Sequence, residues 1–125
     1  MAELFNTSAP IYLQLCDRIK NKIIRGEIGI GGQLPSVRDL AIDSGVNPNT
    51  VQRTYRELEE AGIVEKRRGQ GTFVTENQEI LQRMRNQLKQ QHISGFVREM
   101  SEMGYSKSEM VEGLQNYFNK KEEKP

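Results

Sequence analysis

Asn49, Thr50, Gln52, Arg53 and Arg56 form a polar set that contains neither an acid nor a lysine. Amide side chains pair bidentately with adenine, guanidinium groups pair with guanine, and hydroxyls or arginines bind phosphate. A solvated helix face ordinarily carries Glu and Lys instead. The chemistry indicated is therefore recognition of base edges in a DNA major groove, not the making or breaking of bonds. Thr50 and Tyr55 suit a phosphate equally well, and Tyr55 alternatively belongs wholly to the core. Interleaved with the polar set, Val51, Tyr55, Leu58 and Ile63 recur at helical spacing and make one apolar stripe. Asn47 is a good N-cap, and Pro48 suits the first helical position, where its missing N–H has no partner to lose.

The flanking residues must position this helix. Upstream, Ser36 with Asp39 three residues on reads as a capping box for a helix that turns Val37, Leu40 and Ala41 inward. Ser44-Gly45 closes it, with Gly45 as a left-handed stop. A helix, a short glycine turn and a polar-faced helix make a helix-turn-helix. Downstream, Gly62 ends the second helix. Ile63–Arg68 and Thr72–Val74 then read as short strands around Gly69-Gln70-Gly71, a basic hairpin placed as a wing beside the DNA backbone or minor groove. For Gly69 and Gly71, plain hairpin geometry explains the residue type at least as well as close approach to DNA.

Three blocks, Leu34-Pro35-Ser36-Val37-Arg38-Asp39-Leu40-Ala41, Val46-Asn47-Pro48-Asn49-Thr50-Val51 and Gly69-Gln70-Gly71-Thr72-Phe73-Val74, resemble the DNA-binding domain of GntR-family transcription regulators in order and spacing. The resemblance runs from about Pro10 to Val74. The short remainder is similar to the YtrA-type subfamily, whose C-terminal region has two helices and serves dimerisation. The resemblance implies a homodimer on a double-stranded, two-fold symmetric operator, acting as a repressor, with a transporter operon as a weak expectation. It also places Arg38 at the DNA face, against the plainer reading of a surface arginine paired with Asp39 or Asp43. The DNA-contacting set expected is Ser36, Arg38, Asn47, Asn49, Thr50, Gln52, Arg53, Arg67, Arg68, Gly69 and Gln70.

With 125 residues, there is room for one domain of ordinary size, or a small one with an appendage. Hydrophobic residues make up 35% and aromatics 6%, without Trp, so the core is modest. Eighteen basic against 17 acidic side chains leave a net charge of +1, which alone does not suggest nucleic acid. Position matters more: Arg38, Arg53, Arg56, Lys66, Arg67 and Arg68 fall near one face. The single Cys16 excludes an internal disulfide and, within the stripe Ile11, Leu15 and Ile19, reads as a small core residue. One His and one Cys, far apart, offer neither a metal site nor a nucleophile–base pair, so no catalytic residue, metal or cofactor is expected. Gly29, Gly31 and Gly32 lack the Lys-Ser/Thr and the preceding strand that a phosphate loop needs. No apolar run spans a membrane, no signal peptide opens the chain, and a lone cysteine suits a reducing cytosol, so a cytoplasmic protein is expected.

In chain order, Met1–Ala9 is an arm with Leu4 and Phe5 as its large apolar residues. A first helix runs from Pro10 to about Arg25. Gly26–Gly32 is a connector that includes a short edge strand near Ile28 and Ile30, beside the wing. Beyond the link Thr75–Asn77, Ile80, Leu81, Met84, Leu88, His92, Phe96, Val97, Met100 and Met103 predict a long helix with Gly95 as a break. Ser106 and Glu109 make a second capping box for a last helix bearing Met110, Val111, Leu114, Tyr117 and Phe118, followed by a frayed Lys120–Pro125.

Two such helices cannot bury both stripes alone, and Leu88, Phe96, Leu114 and Phe118 are the expected dimer interface. The fold class expected is mainly α with a small β-hairpin: a winged helix-turn-helix at 1–76 and a helical dimerisation region at 77–125. Larger GntR relatives append an effector domain for which Thr75–Pro125 is too short, so the identity of any small-molecule effector is left unknown. Two other readings stand beside DNA regulation. One is a protein-interaction module, separable by salt-dependent DNA binding. The other is an effector-gated sensor, in which one molecule shifts melting temperature and DNA affinity together.

Overall fold

A computed structural model describes residues 5–123. Among them are α1 (Ile11–Ile24), α2 (Val37–Ser44), α3 (Pro48–Glu60), β1 (Val64–Arg67), β2 (Gly71–Val74), α4 (Gln78–Glu102) and α5 (Lys107–Glu123). Two compact units divide between Arg85 and Asn86. The architecture is mostly helical with a two-stranded antiparallel hairpin, as expected.

The first unit closes around α3. Val51, Thr54 and Leu58 on its inner face are fully buried, among a core that includes Leu15, Cys16 and Ile19 of α1, Leu40 and Ala41 of α2, and Val64 and Val74 of the hairpin. Ile11, expected in the α1 stripe, is instead 44% exposed, because it lies at the helix start before the packed turns begin. Polar groups inside are partnered. Thr54 Oγ1 lies 3.1 Å from the Tyr12 carbonyl and 2.9 Å from that of Thr50, and Tyr55 Oη donates to the Pro35 carbonyl at 2.6 Å. Tyr55 is therefore a core residue whose hydroxyl is already spent. Cys16 Sγ donates to the Thr54 carbonyl at 3.6 Å, and burial pushes its thiol up to about 11, which keeps it protonated and unreactive.

The edge strand expected near Ile28 and Ile30 forms a few residues later. Leu34 N–H donates to the Thr72 carbonyl and Val74 N–H to the Gly32 carbonyl, both at 2.8 Å, with Gln33 bridged to Phe73. Ile30 stays 55% exposed, since only the stretch leading into α2 reaches β2.

The first turns of α4 belong to the first compact unit. Asn77 Oδ1 accepts from Glu79 N–H at 3.0 Å to start the helix, Ile80 lies against Gly62, and Met84 is buried.

In the second unit α4 continues through Gly95 without a break. One glycine costs about 1 kcal/mol, too little to interrupt a helix of this length. Gly104, at φ +93, ends it, and the Ser106–Glu109 box forms in both directions, at 2.9 and 3.2 Å. The expected fraying from Lys120 is not seen up to Glu123. Lys120 and Lys121 in the last turn complement the negative end of the helix dipole. Leu4 of the arm and the last two residues lie outside the described range. Phe5 lies under the Arg18 guanidinium, 4.0 Å from its centroid.

Candidate nucleic-acid interface

The turn between α2 and α3 is built as the sequence implies. Ser36 Oγ accepts from Asp39 N–H at 3.1 Å, and Gly45 closes α2 at φ +67 with its N–H on the last carbonyls. Asn47 Oδ1 then accepts from Asn49 N–H at 2.8 Å and Pro48 occupies the first turn of α3. Ser36 and Asn47, both expected at the DNA, are thus helix caps first. Each remains exposed, and the Ser36 hydroxyl proton is free to donate.

Asn49, Gln52, Arg53 and Arg56 are exposed on the face of α3 opposite its buried stripe, and Thr50 is half-buried at its side. Arg53 is not free: its guanidinium stacks on the Tyr12 ring, 3.9 Å from the centroid, which leans it toward α1. Arg38 is exposed near the start of α2. Neither Asp39 nor Asp43 pairs with it, so the plainer reading of a surface ion pair does not hold among the described residues.

A cleft of about 340 Å³ is lined by Val37 of α2, by Gln52, Tyr55, Arg56 and Glu59 of α3, and by Lys66 and Thr72 of the hairpin. The start of α2, the outer side of α3 and the wing therefore border one surface. It carries the cations Arg56 and Lys66 beside the single acid Glu59.

In the wing, β1 pairs with β2 from Val64↔Val74 to Arg67↔Gly71, and Gln70 N–H donates to the Arg67 carbonyl at 2.9 Å across the turn. Gly69 takes φ +74, the left-handed value that a turn of this kind asks of its third residue. Arg67 is held down, 4.1 Å over the Phe73 ring and 3.2 Å from a Glu65 carboxylate oxygen, whereas Arg68, Gly69 and Gln70 are exposed. Sequence reasoning missed Tyr12 and Gln33, which fix Arg53 and the wing tip. No local signal marks either one, because their partners lie far along the chain.

The four residues expected at a dimer interface divide. Leu88 is buried within the chain itself, Phe96 is half-buried, and Leu114 and Phe118 are 42% and 57% exposed.

Residues 11–74 match the model of the bacterial regulatory proteins of the gntR family. The chain belongs to the GntR family. It is 49% identical over 117 residues to the HTH-type transcriptional regulator YhcF of Bacillus subtilis, covering 94% of this chain and 97% of that protein. The HTH-type transcriptional repressor YtrA of the same organism is 46% identical over 71 residues, which is 57% of this chain and 55% of that one. Among solved structures, a GntR family transcriptional regulator from Listeria monocytogenes superposes with a TM-score of 0.83 at 37% identity, covering 90% of this chain and 98% of that one. The DNA-binding domain of AraR in complex with its operator ORX1 reaches a TM-score of 0.53 at 27% identity, over 60% of this chain and 90% of that one. The protein is thus a GntR-family transcriptional regulator with YtrA-like relatives, and its fold is that of regulators, not enzymes. Among the described residues no helix is long and apolar enough to cross a membrane.

Proposed function

We propose that the protein is a homodimeric repressor that binds a two-fold symmetric operator through α3, Arg38 and the wing. The observation that carries this is the outer face of α3, where Asn49, Gln52 and Arg56 stand exposed, together with an exposed and unpaired Arg38 near the start of α2. Unpaired amides and guanidinium groups at the front of such a helix reach base edges, and the capping residues Ser36 and Asn47 hold that front in place. Arg67 and Arg68 serve the backbone. The AraR domain crystallised on its operator supports DNA as the partner, and the repressor YtrA supports the direction of control. A transporter operon as the target rests on the subfamily resemblance alone.

Dimerisation follows from the tail. Ile93, Val97, Met103, Val111, Leu114, Tyr117 and Phe118 are each at least 42% exposed, an apolar surface that a second copy would cover. Phe96, Leu114 and Phe118 are then the interface residues with surface to offer, and Leu88 contributes less. One winged helix meets one half-site, and two held at a fixed separation meet two, about one helical turn or a multiple apart.

The test is footprinting on the protein's own promoter with the full chain and with Arg38→Ala. A symmetric protected region is expected, and Arg38→Ala should weaken binding by roughly 1–3 kcal/mol if it reads a base, with folding intact. Unchanged affinity removes Arg38 from the site. If no salt-dependent DNA binding occurs at all, the domain is an interaction module instead.

A further inference from the structure

The connector between α1 and α2 reaches the wing tip through one side chain. Gln33 sits between the two backbone hydrogen bonds that tie Gly32 and Leu34 to β2, so its α-carbon is fixed against the hairpin opposite Phe73. From there Nε2 donates to the Gln70 carbonyl at 2.8 Å, across 37 positions of sequence. The amide crosses directly over Gly71. A Cβ at Gly71 would stand 2.7 Å from Nε2, and the backbone there, at φ +118, is one that side-chain-bearing residues rarely adopt. Among the described residues this is the only side-chain hydrogen bond to the tip Arg68–Gln70, whose members are all exposed.

We propose that Gln33 is a positioning residue for the wing, ordering the Arg68–Gln70 tip in the free protein so that it meets the DNA backbone already in place. This rests on the reading of the wing as a DNA contact. A loop that must be ordered on binding subtracts that cost from affinity, and a loop ordered beforehand does not. Because the amide is neutral, Gln33 acts without changing the number of phosphates neutralised, and the salt dependence of binding is the same with or without it.

The experiment uses the full chain, a mixed-sequence DNA duplex, and two variants: Gln33→Met, which keeps the length and removes the donor, and Gln33→Ala. Amide nitrogen relaxation of the free protein should show greater fast motion at Gly69, Gln70 and Gly71 in both variants. The melting temperature should stay unchanged, since the bond is exposed and outside the core. Binding should weaken about two- to tenfold, the range of one modest hydrogen bond, with an unaltered salt slope. Weaker binding with a tip as ordered as in the parent protein would mean that Gln33 touches DNA itself, and would overturn the proposal. A mobile tip with unchanged affinity, while Arg68→Ala still weakens binding, also overturns it and leaves the wing reading standing. If Arg68→Ala too has no effect, the wing reading fails and the role of Gln33 falls with it.

Discussion

Val51, Leu58 and Val74 of the winged-helix unit have no exposed surface, whereas Val111, Leu114, Tyr117 and Phe118 of the tail are 42–62% exposed. Both regions are amphipathic helices by sequence. In the first, three helices and a hairpin present most of their apolar faces to one another, and Ile11, Leu13, Ile30 and Ile42 are the large apolar residues left exposed among those described. In the second, Leu88 and Met110 are buried and most of the remaining large apolar residues face outward. Burying a Leu or Phe side chain gains roughly 1.5–3 kcal/mol, so the tail forgoes several such gains as a single chain. The contrast separates a unit that covers its own core from one whose apolar surface, on the proposed reading, a second copy would cover. On that reading the first unit carries the recognition face, and pairing of tails would hold two such faces together.

The largest effect that tests this contrast comes from removing the tail. Truncation after Arg85 keeps Ile80 and the buried Met84 with the first unit and should leave a folded monomer. Linking two binding modules raises affinity by about 10²–10⁴-fold, and the truncated chain should lose that much on a two-half-site operator. Sedimentation and footprinting report the two losses together. A truncated chain that stays dimeric with full operator affinity would show that the tail has another purpose. Truncation after Glu76 should in addition lower the unfolding midpoint, because Met84 goes with the tail.

A second comparison sets one substitution in each region side by side. Leu58→Ala empties a fully buried position and should cost 2–5 kcal/mol in urea unfolding, within the usual range for such changes of about 2–5 kcal/mol. Phe118→Ala, at a site 57% exposed, should change unfolding by under about 1 kcal/mol when the protein is dilute, yet raise the dimer dissociation constant. If Phe118→Ala destabilises the dilute chain as much as Leu58→Ala, the tail is a closed core and the contrast fails.

Much of this was legible in the residues. The caps at Ser36, Asn47 and Ser106, the stop at Gly45, and the register of the α3 stripe are local features, set by side chains within four positions of each other. For that reason the sequence alone shows them. What was missed is non-local. The edge that pairs with β2 is expected a few residues too early, near Ile28 and Ile30, because it depends on Gly32 and Leu34 reaching Thr72 and Val74 and no periodicity marks it. Tyr12 beneath Arg53 joins α1 to α3, and Gln33 joins the connector to the wing. Leu88 and Leu114 follow the same helical pattern, but one is buried and the other exposed. A hydrophobic period shows which face is apolar, not which part of that face its own chain covers.

The smallest effect concerns the two arginines of the wing, alike in sequence and unlike in the structure. Arg67 is half-buried, paired with Glu65 at 3.2 Å and laid over Phe73, while Arg68 is exposed without a partner among the described residues. An exposed ion pair contributes up to about 1 kcal/mol and a surface cation–π contact about 0.5–1 kcal/mol. Arg67 must give up part of that to reach a phosphate; Arg68 gives up nothing. Arg68→Ala should therefore reduce the magnitude of the slope of log affinity against log salt by about 0.9 on any DNA sequence. Arg67→Ala should reduce it by less. Glu65→Ala should shift the balance, releasing Arg67 and strengthening binding to mixed-sequence DNA. Titrations at several salt concentrations decide among these outcomes. Equal slope losses for the two arginines would mean that Glu65 and Phe73 do not restrain Arg67. A loss confined to one base position would mean that the wing reads sequence as well as backbone.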